Sequence, residues 1–250
     1  MQSNLAQNWF EQGGEAYARY RPDYPIALAK FLASVVCDHT LAVDVGCGNG
    51  QLTAQLANYF DAVLGVDPSA NQLTNAIAHP RIEYQCAPAE KLPLPTQSVS
   101  LLTAAQAAHW FDLPAFYGEV RRVMKPEGVI SLLSYGVLQL EAELDERFKY
   151  FYWHEIAPYW PAERKLVDSG YATIDFPFAA ILAPSLAIEK NWNLREFLGY
   201  ITTWSAVTHA GHAGQAHILL NFAEEMATLW GDANTQRTIS WPIHMRIGKV

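Results

Sequence analysis

The sequence predicts an α/β fold built on a mostly parallel sheet, and three observations carry that prediction. Short apolar runs recur from Leu41 onward at intervals of about twenty residues, segments of helical spacing lie between them, and a glycine-rich turn stands at the first strand-to-helix junction. Strand and helix alternating at this spacing imply crossover connections that hold neighbouring strands parallel.

The expected strands are Leu41 to Val45, Ala62 to Val66, Ile82 to Cys86, Val99 to Ala104 and Val129 to Tyr135. They read as apolar runs, as strands covered on both faces do. Helices are expected over Gln51 to Phe60, Asn71 to Ala78 and Leu113 to Met124. In the last of these, Phe116, Val120 and Val123 share one face. Arg121, Arg122 and Lys125 crowd the C-terminal end, where cations complement the helix dipole, and Pro126 stops the helix. The two arginines read as a solvated helix face.

After Tyr135 the rhythm breaks. Leu138 to Ile156 and Ala162 to Asp168 read as helical, and a strand is expected between Ile181 and Trp192. Leu194 to Val207 and Gln215 to Trp230 are helical again, and Thr238 to Ile247 reads as a closing strand. No Gly/Ser-rich linker or charge run separates the halves, so one domain over residues 1–250 is expected. It would comprise a covering segment (1–40), a ligand-binding core (41–135) and insertions with closing strands (136–250). Six of the eight tryptophans lie beyond Gly128, and aromatics concentrate between Tyr150 and Trp160, an excess that reads as helix core or as a lid.

Composition narrows the function classes. The 250 residues carry 17 Lys plus Arg against 25 Asp plus Glu, a formal charge of −8. Phosphate recognition rests on basic patches, so no nucleic-acid partner is expected. Half the residues are hydrophobic and 17% are charged, which excludes a disordered chain. Cys37, Cys47 and Cys86 form no CxxC pair, and so predict neither a disulfide framework nor a zinc site. The stretch from Leu92 to Phe111 has no Asp, Glu, Lys or Arg, but prolines, glutamines and a histidine interrupt it, so no membrane span is expected. With Arg19 as the first cation, a cytoplasmic protein is expected, as a monomer or homodimer. His209, His212 and His217 have no acid at helical positions between them, and no metal is predicted.

The segment that carries chemistry is Val43-Asp44-Val45-Gly46-Cys47-Gly48-Asn49-Gly50-Gln51. Gly46, Gly48 and Gly50 allow a tight turn and let a ligand approach the backbone at a helix start. A dinucleotide fingerprint would put its third glycine at Gln51, one residue later than Gly50. Asp44 would repel a pyrophosphate and attract an ammonium. Asp67 closes the second strand twenty-one residues after Gly46, the usual place of an acid that accepts from ribose hydroxyls. Ribose and ammonium together describe S-adenosylmethionine better than NAD. The plainer alternative is a simple turn, with Asp67 capping the next helix.

On these residues the sequence resembles the class I S-adenosylmethionine-dependent methyltransferases. Asp44 to Gly50 looks like their first motif, Gly65-Val66-Asp67-Pro68-Ser69 like their second and Ala89-Glu90-Lys91-Leu92-Pro93 like their adenine-side motif. Leu101 to Phe111 and Val123 to Gly128 look like the later ones. The resemblance implies a Rossmann-like, mostly parallel seven-stranded sheet with an antiparallel last strand and helical insertions. It also implies that Pro68, Ala89, Glu90 and Gln106 line the cofactor. Where many relatives have an Asp for the adenine amino group, this chain has Pro88.

A narrower resemblance is carried by Arg21-Pro22-Asp23-Tyr24-Pro25, Gln106 to Asp112 and Pro158-Tyr159-Trp160-Pro161. These look like the trans-aconitate methyltransferase-like group, which esterifies small carboxylic acids. The expected activity is therefore O-methylation of a small carboxylic acid. The alternatives are a C- or O-methyltransferase on a quinone or phenol-like metabolite, an NAD-dependent oxidoreductase, or a cofactor-binding protein without activity.

The remaining candidates follow from position. His109 and Trp110 come just after the fourth strand; Trp110 would wall the sulfonium, and His109 would take a proton from a hydroxyl acceptor. Packing at the next helix is the alternative for both. Arg21 would fork onto the methionine carboxylate, and Tyr17 in the same N-terminal arm is placed with the acceptor. Arg164 is the cation chosen for a substrate carboxylate, with Tyr159 and Trp160 beside it.

Overall fold

Helices alternate with strands as far as Ile82–Cys86, a strand that leads to the next without a helix, and a helix again precedes the strand that ends at Tyr135. The computed structural model describes residues 22–250. Its elements run α1 (Ile26–Ser34), β1 (Leu41–Val45), α2 (Gln51–Leu56), β2 (Ala62–Asp67), α3 (Ala70–Thr74), β3 (Ile82–Cys86), β4 (Val99–Ala105), α4 (Leu113–Val123) and β5 (Met124–Tyr135). Then come α5 (Ala142–Tyr150), α6 (Arg164–Asp168), β6 (Ala179–Ala180), β7 (Leu186–Trp192), α7 (Leu194–Thr202), α8 (Ser205–His212), α9 (His217–Trp230) and β8 (Arg237–Lys249). Two compact units emerge. Asp23–Val137, Lys165–Ile188 and Pro242–Val250 form a sheet unit, while Leu138–Arg164 and Glu189–Trp241 form a helical unit.

Among the described residues the sheet has eight strands in the order β3-β2-β1-β4-β5-β8-β6, with β7 joined to β8 off that path. β1 to β5 pair in parallel, and β8 is antiparallel to both β5 and β6. Strand order reverses between β1 and β4, whose carboxyl ends border the crevice where open α/β sheets bind ligands. Val43, Val45, Val66, Leu102, Ala104, Ile130 and Leu132 fill the core, and α4 covers them with Phe116, Tyr117, Val120 and Val123. Each valine, leucine, isoleucine or phenylalanine among them contributes roughly 1.5–3 kcal/mol when fully buried.

Local chemistry explains the departures from the expected boundaries. α4 opens on Asp112, whose side chain accepts from Ala115 N at 3.3 Å, and it ends at Val123, so that Met124 already begins β5. Pro126 disfavours helix at the residue before it, and the strand absorbs the turn through a register shift and a left-handed Glu127 (φ 63°). β3 lies at the sheet edge, so Ile82 and Tyr84 are half-buried while Glu83 is exposed and the strand is no continuous apolar run.

In the helical unit the helix expected from Leu138 to Ile156 is shorter. After α5 the chain widens into a π-turn over Phe151–Glu155, closed by Ile156 N donating to Phe151 O at 2.9 Å. That turn buries Phe151 and Tyr152 and leaves Tyr150 and Trp153 exposed. The helix expected from Leu194 to Val207 breaks at Trp204. Its first half opens on a capping box in which Asn193 and Glu196 satisfy each other's backbone N–H. Phe151 stacks on Phe222 at 3.9 Å and Phe197 on Trp230 at 5.6 Å, so much of the aromatic excess is the core of this unit. Among the described residues no helix is long and apolar enough to cross a membrane.

Candidate active site

β1 delivers the chain into the glycine loop at its carboxyl end. Gly46 N and Cys47 N both donate to Val66 O, at 2.7 and 3.1 Å, which ties the loop to β2. Gly46, Gly48 and Gly50 are all left-handed, but their surroundings differ. A Cβ at Gly46 would stand 2.4 Å from Ala107 Cβ, and one at Gly50 would stand 2.1 Å from Tyr84 Oη. At Gly48 it would meet nothing within 4 Å among the described residues. Gly46 and Gly50 therefore serve packing, whereas Gly48 borders open space that a ligand can approach.

Asp44 is 1% exposed and sits beneath this loop. Thr53 Oγ1 donates to its Oδ2 at 2.7 Å, and Thr103 Oγ1 donates to its Oδ1 at 2.8 Å. Burial is the main cause that pushes its carboxyl up to about 6, against the opposing pull of the two hydroxyls. Burial, with Asp44 and Asp67 nearby, likewise pushes the Cys47 thiol up.

Asp67 ends β2. Its Oδ2 accepts from Gly48 N and its Oδ1 from Ser69 N, each at 2.8 Å, and each oxygen retains further acceptor capacity. Next to it, Pro68 O accepts from Cys86 Sγ at 3.4 Å. On the turn after β3 Ala89 is buried, and Glu90 Oε1 accepts from Asp112 N at 2.9 Å, which binds this turn to the start of α4. Arg121 is exposed, as a solvated helix face requires, whereas Arg122 is tied down. Arg122 donates to Leu94 O at 2.7 Å and Leu92 O at 3.0 Å while paired with Glu119, and Arg121 lies 5.2 Å over the Phe178 ring. Carbonyls of Leu92 and Leu94 within reach of α4 make Arg122 a clamp.

Gln106 follows β4 with φ of 54°, a strained conformation that costs of order 1–3 kcal/mol and clusters at functional sites. Its Nε2 donates to Tyr135 O at 3.1 Å, while Oε1 is buried with no hydrogen-bond partner among the described residues. His109 lies in the short turn Ala108–Trp110, its Nδ1 2.8 Å from Tyr171 Oη and its ring 4.8 Å from that of Trp110. Trp110 is 63% exposed, free of the packing role that was its alternative.

Three candidates sit in the helical unit. Arg164 Nε donates to Tyr152 Oη at 2.8 Å and its guanidinium lies 4.7 Å over Trp160. Trp160 Nε1 is buried without a partner among the described residues, and Tyr159 O bonds His209 Nδ1 at 3.0 Å. His209 and His212 end α8 and His217 opens α9, so they do not share one helix start. Arg21 and Tyr17 lie outside the described residues.

Sequence reasoning missed Thr53, Thr103, Tyr84 and Tyr171. Thr103 left a faint signal, as a hydroxyl inside the apolar run Leu101-Leu102-Thr103-Ala104. Its β1 register partner is Asp44.

Comparison with known proteins agrees with this geometry. Residues 43–132 match the methyltransferase domain family. A protein of Dictyostelium discoideum described as a methyltransferase is 33% identical over 244 residues, 94% of this chain and 92% of that one. A Saccharomyces cerevisiae protein described as an S-adenosylmethionine-dependent methyltransferase is 29% identical over 48% of this chain and 44% of its own. A solved structure described as a type II methyltransferase from Anaeromyxobacter dehalogenans has a TM-score of 0.87 at 42% identity. It covers 92% of this chain and 98% of that one.

The chain belongs to the methyltransferase domain family and is a class I S-adenosylmethionine-dependent methyltransferase. The nicotinamide alternative falls with that finding. The residues fit the cofactor, since Gly48 leaves room at the loop, Asp67 keeps acceptor capacity beside it, and the buried Gln106 Oε1 has no donor among the described residues, as a site for a donor such as an ammonium requires.

Proposed function

We propose that the protein O-methylates a small carboxylic acid. The observation that carries this reading is the partner of His109, the residue after β4 best suited to act as a base. Its Nδ1 meets a phenol, Tyr171 Oη, at 2.8 Å. Strong histidine bases are backed at Nδ1 by a carboxylate that holds the proton there and stabilises the imidazolium. A carboxylate acceptor is already ionised near neutral pH and needs no base.

When bound, S-adenosylmethionine supplies a methyl group activated on a sulfonium. The protein's share is positioning and exclusion of water. Asp67 is assigned to the ribose hydroxyls and Gln106 Oε1 to the methionine ammonium, which Asp44 attracts by charge from beneath the loop. Ala89 N–H is assigned to the adenine ring, with Pro68 beside it and Glu90 holding the turn; Pro88 leaves the amino group to a backbone carbonyl or water. Trp110 is assigned as a wall beside the sulfonium. Arg21, for the methionine carboxylate, and Tyr17, for the acceptor, are assigned from sequence alone. In the helical unit, taken by itself, Arg164 is the cation assigned to an acidic group, its plane set by Tyr152 and Trp160. Tyr159 is assigned with it.

A phenol or quinol acceptor is the second reading, favoured by the partial exposure of the His109 imidazole beside the exposed Trp110. A labelled-methyl transfer assay across small di- and tricarboxylates, phenols and quinones tests the proposal. Base-labile label on a carboxylic acid is expected, and label confined to phenols or quinones overturns it.

A further inference from the structure

We propose that Tyr84 is a positioning residue that presets the Asn49–Gly50 turn of the glycine loop for the cofactor. The inference rests on the reading that this loop holds S-adenosylmethionine, and adds a residue that reaches it from another strand.

It begins with Gly65, which interrupts the apolar run of β2. Glycine in a strand interior weakens the strand and marks a place where another group approaches closely. Its register partner on β3 is Tyr84. A Cβ at Gly65 would stand 2.5 Å from Tyr84 Cδ1 and 2.6 Å from Cε1, so the ring lies across the bare backbone of β2. From there it reaches the loop. A Cβ at Gly50 would stand 2.9 Å from Tyr84 Cζ and 2.1 Å from Oη, where the left-handed Gly50 (φ 84°) leads into α2. One side chain therefore demands glycine at two positions and is braced against both.

The hydroxyl extends the hold to Asn49. Tyr84 Oη donates to Ile77 O at 2.9 Å, and Ile77 N donates to Asn49 O at 3.0 Å. Ile77 lies in the irregular segment between α3 and β3, and both of its backbone groups serve this link. Burial is the main cause that pushes the Tyr84 phenol up to about 12, so it keeps its proton and stays a donor at neutral pH.

The two halves of the loop are thus fixed by different means. Val66 O accepts from Gly46 N and Cys47 N, and Asp67 accepts from Gly48 N, so the first half hangs on β2. Asn49 and Gly50 lean on Tyr84, directly at Gly50 and through Ile77 at Asn49. A loop already in its bound shape spares the ordering cost of binding, so the effect of Tyr84 falls on cofactor affinity and leaves the bound reaction alone.

Calorimetry and NMR on the full chain test this with Tyr84→Phe, which keeps the ring and removes the hydroxyl. Kd for S-adenosylmethionine is expected to rise about 3- to 10-fold, as for one lost hydrogen bond, while the methyl-transfer rate at saturating cofactor stays within about twofold. In the cofactor-free variant the Asn49 and Gly50 amide lines broaden through exchange between shapes, and the Gly46 line stays sharp. A merely structural tyrosine would lower the unfolding temperature and move neither. Gly48→Ala is the control for the loop reading. Where it weakens binding, a Tyr84→Phe protein whose Kd lies within about twofold of wild type overturns the proposal, as do Asn49 and Gly50 lines as sharp as in wild type. If Tyr84→Phe does not fold, hydrogen exchange on the wild type decides: protection of the Ile77 amide by at least about tenfold is expected, and an unprotected amide overturns the proposal. Gly48→Ala binding as tightly as wild type removes the loop reading and with it the effect on affinity, and broadened Asn49 and Gly50 lines in Tyr84→Phe then still uphold the hold of Tyr84 on the loop.

Discussion

Gly48 donates its backbone N–H to Asp67 Oδ2 at 2.8 Å. The loop glycine that borders open space among the described residues is therefore held by the acid that closes β2, so the carboxylate that shapes the loop is also the one proposed for the ribose. Asp67→Ala is predicted to weaken S-adenosylmethionine binding by about 1–3 kcal/mol in calorimetry. Unchanged affinity would count against the assignment.

Asp44 should leave a signature in the pH dependence of stability. Its carboxyl is raised by burial from an unfolded value of 3.8 to about 6. The native state thus holds this proton to higher pH than the unfolded chain does. The stabilisation is fully present below about pH 4 and is lost as pH rises to about 6, to the extent of about 3 kcal/mol at most. Asp38 and Glu119 are shifted the other way by Lys125 and Arg122, so the test is a difference between variants. Denaturant midpoints of wild type relative to Asp44→Asn should fall between pH 4 and 6. Parallel curves would contradict the buried carboxylate.

The three loop glycines predict two kinds of defect. Gly46→Ala drives a methyl group into Ala107 and should cost more than about 2 kcal/mol of stability. Gly48→Ala meets no atom, so its stability cost is only the left-handed backbone, about 1 kcal/mol. Its larger effect is predicted on cofactor affinity. Equal losses of stability in thermal unfolding would refute this division.

Glu90 joins the turn after β3, proposed to hold the adenine, to α4 through Asp112 N. Glu90→Ala is predicted to raise the Kd for S-adenosylmethionine several-fold and to cost roughly 1 kcal/mol of stability, since it strips the Asp112 N–H of its acceptor. A change in neither quantity would show that the link carries no load.

Most of the core, and the loop with Asp67, were legible because their information is local: strand, turn, helix and second acid follow one another at fixed separations. The partners of those residues were not. Thr103 reaches Asp44 only because β1 and β4 pair in one register, and Tyr171 lies sixty-two residues beyond His109. The helix break at Trp204 was hidden as well, since Trp204 packs with Tyr152, Trp160 and Tyr200 and its apolar neighbours continue a helical pattern. Arg122 shows the same limit, because carbonyls at Leu92 and Leu94 that bind it lie on another segment.

The most direct test of the proposed activity is methyl transfer to a matched pair, a small dicarboxylic acid and the hydroxyl compound made by reducing one of its acid groups to an alcohol and blocking the other as an amide. With labelled S-adenosylmethionine, label is predicted on the acid alone, released as methanol by mild base. Base-stable label on the hydroxyl compound, with none on the acid, would contradict it.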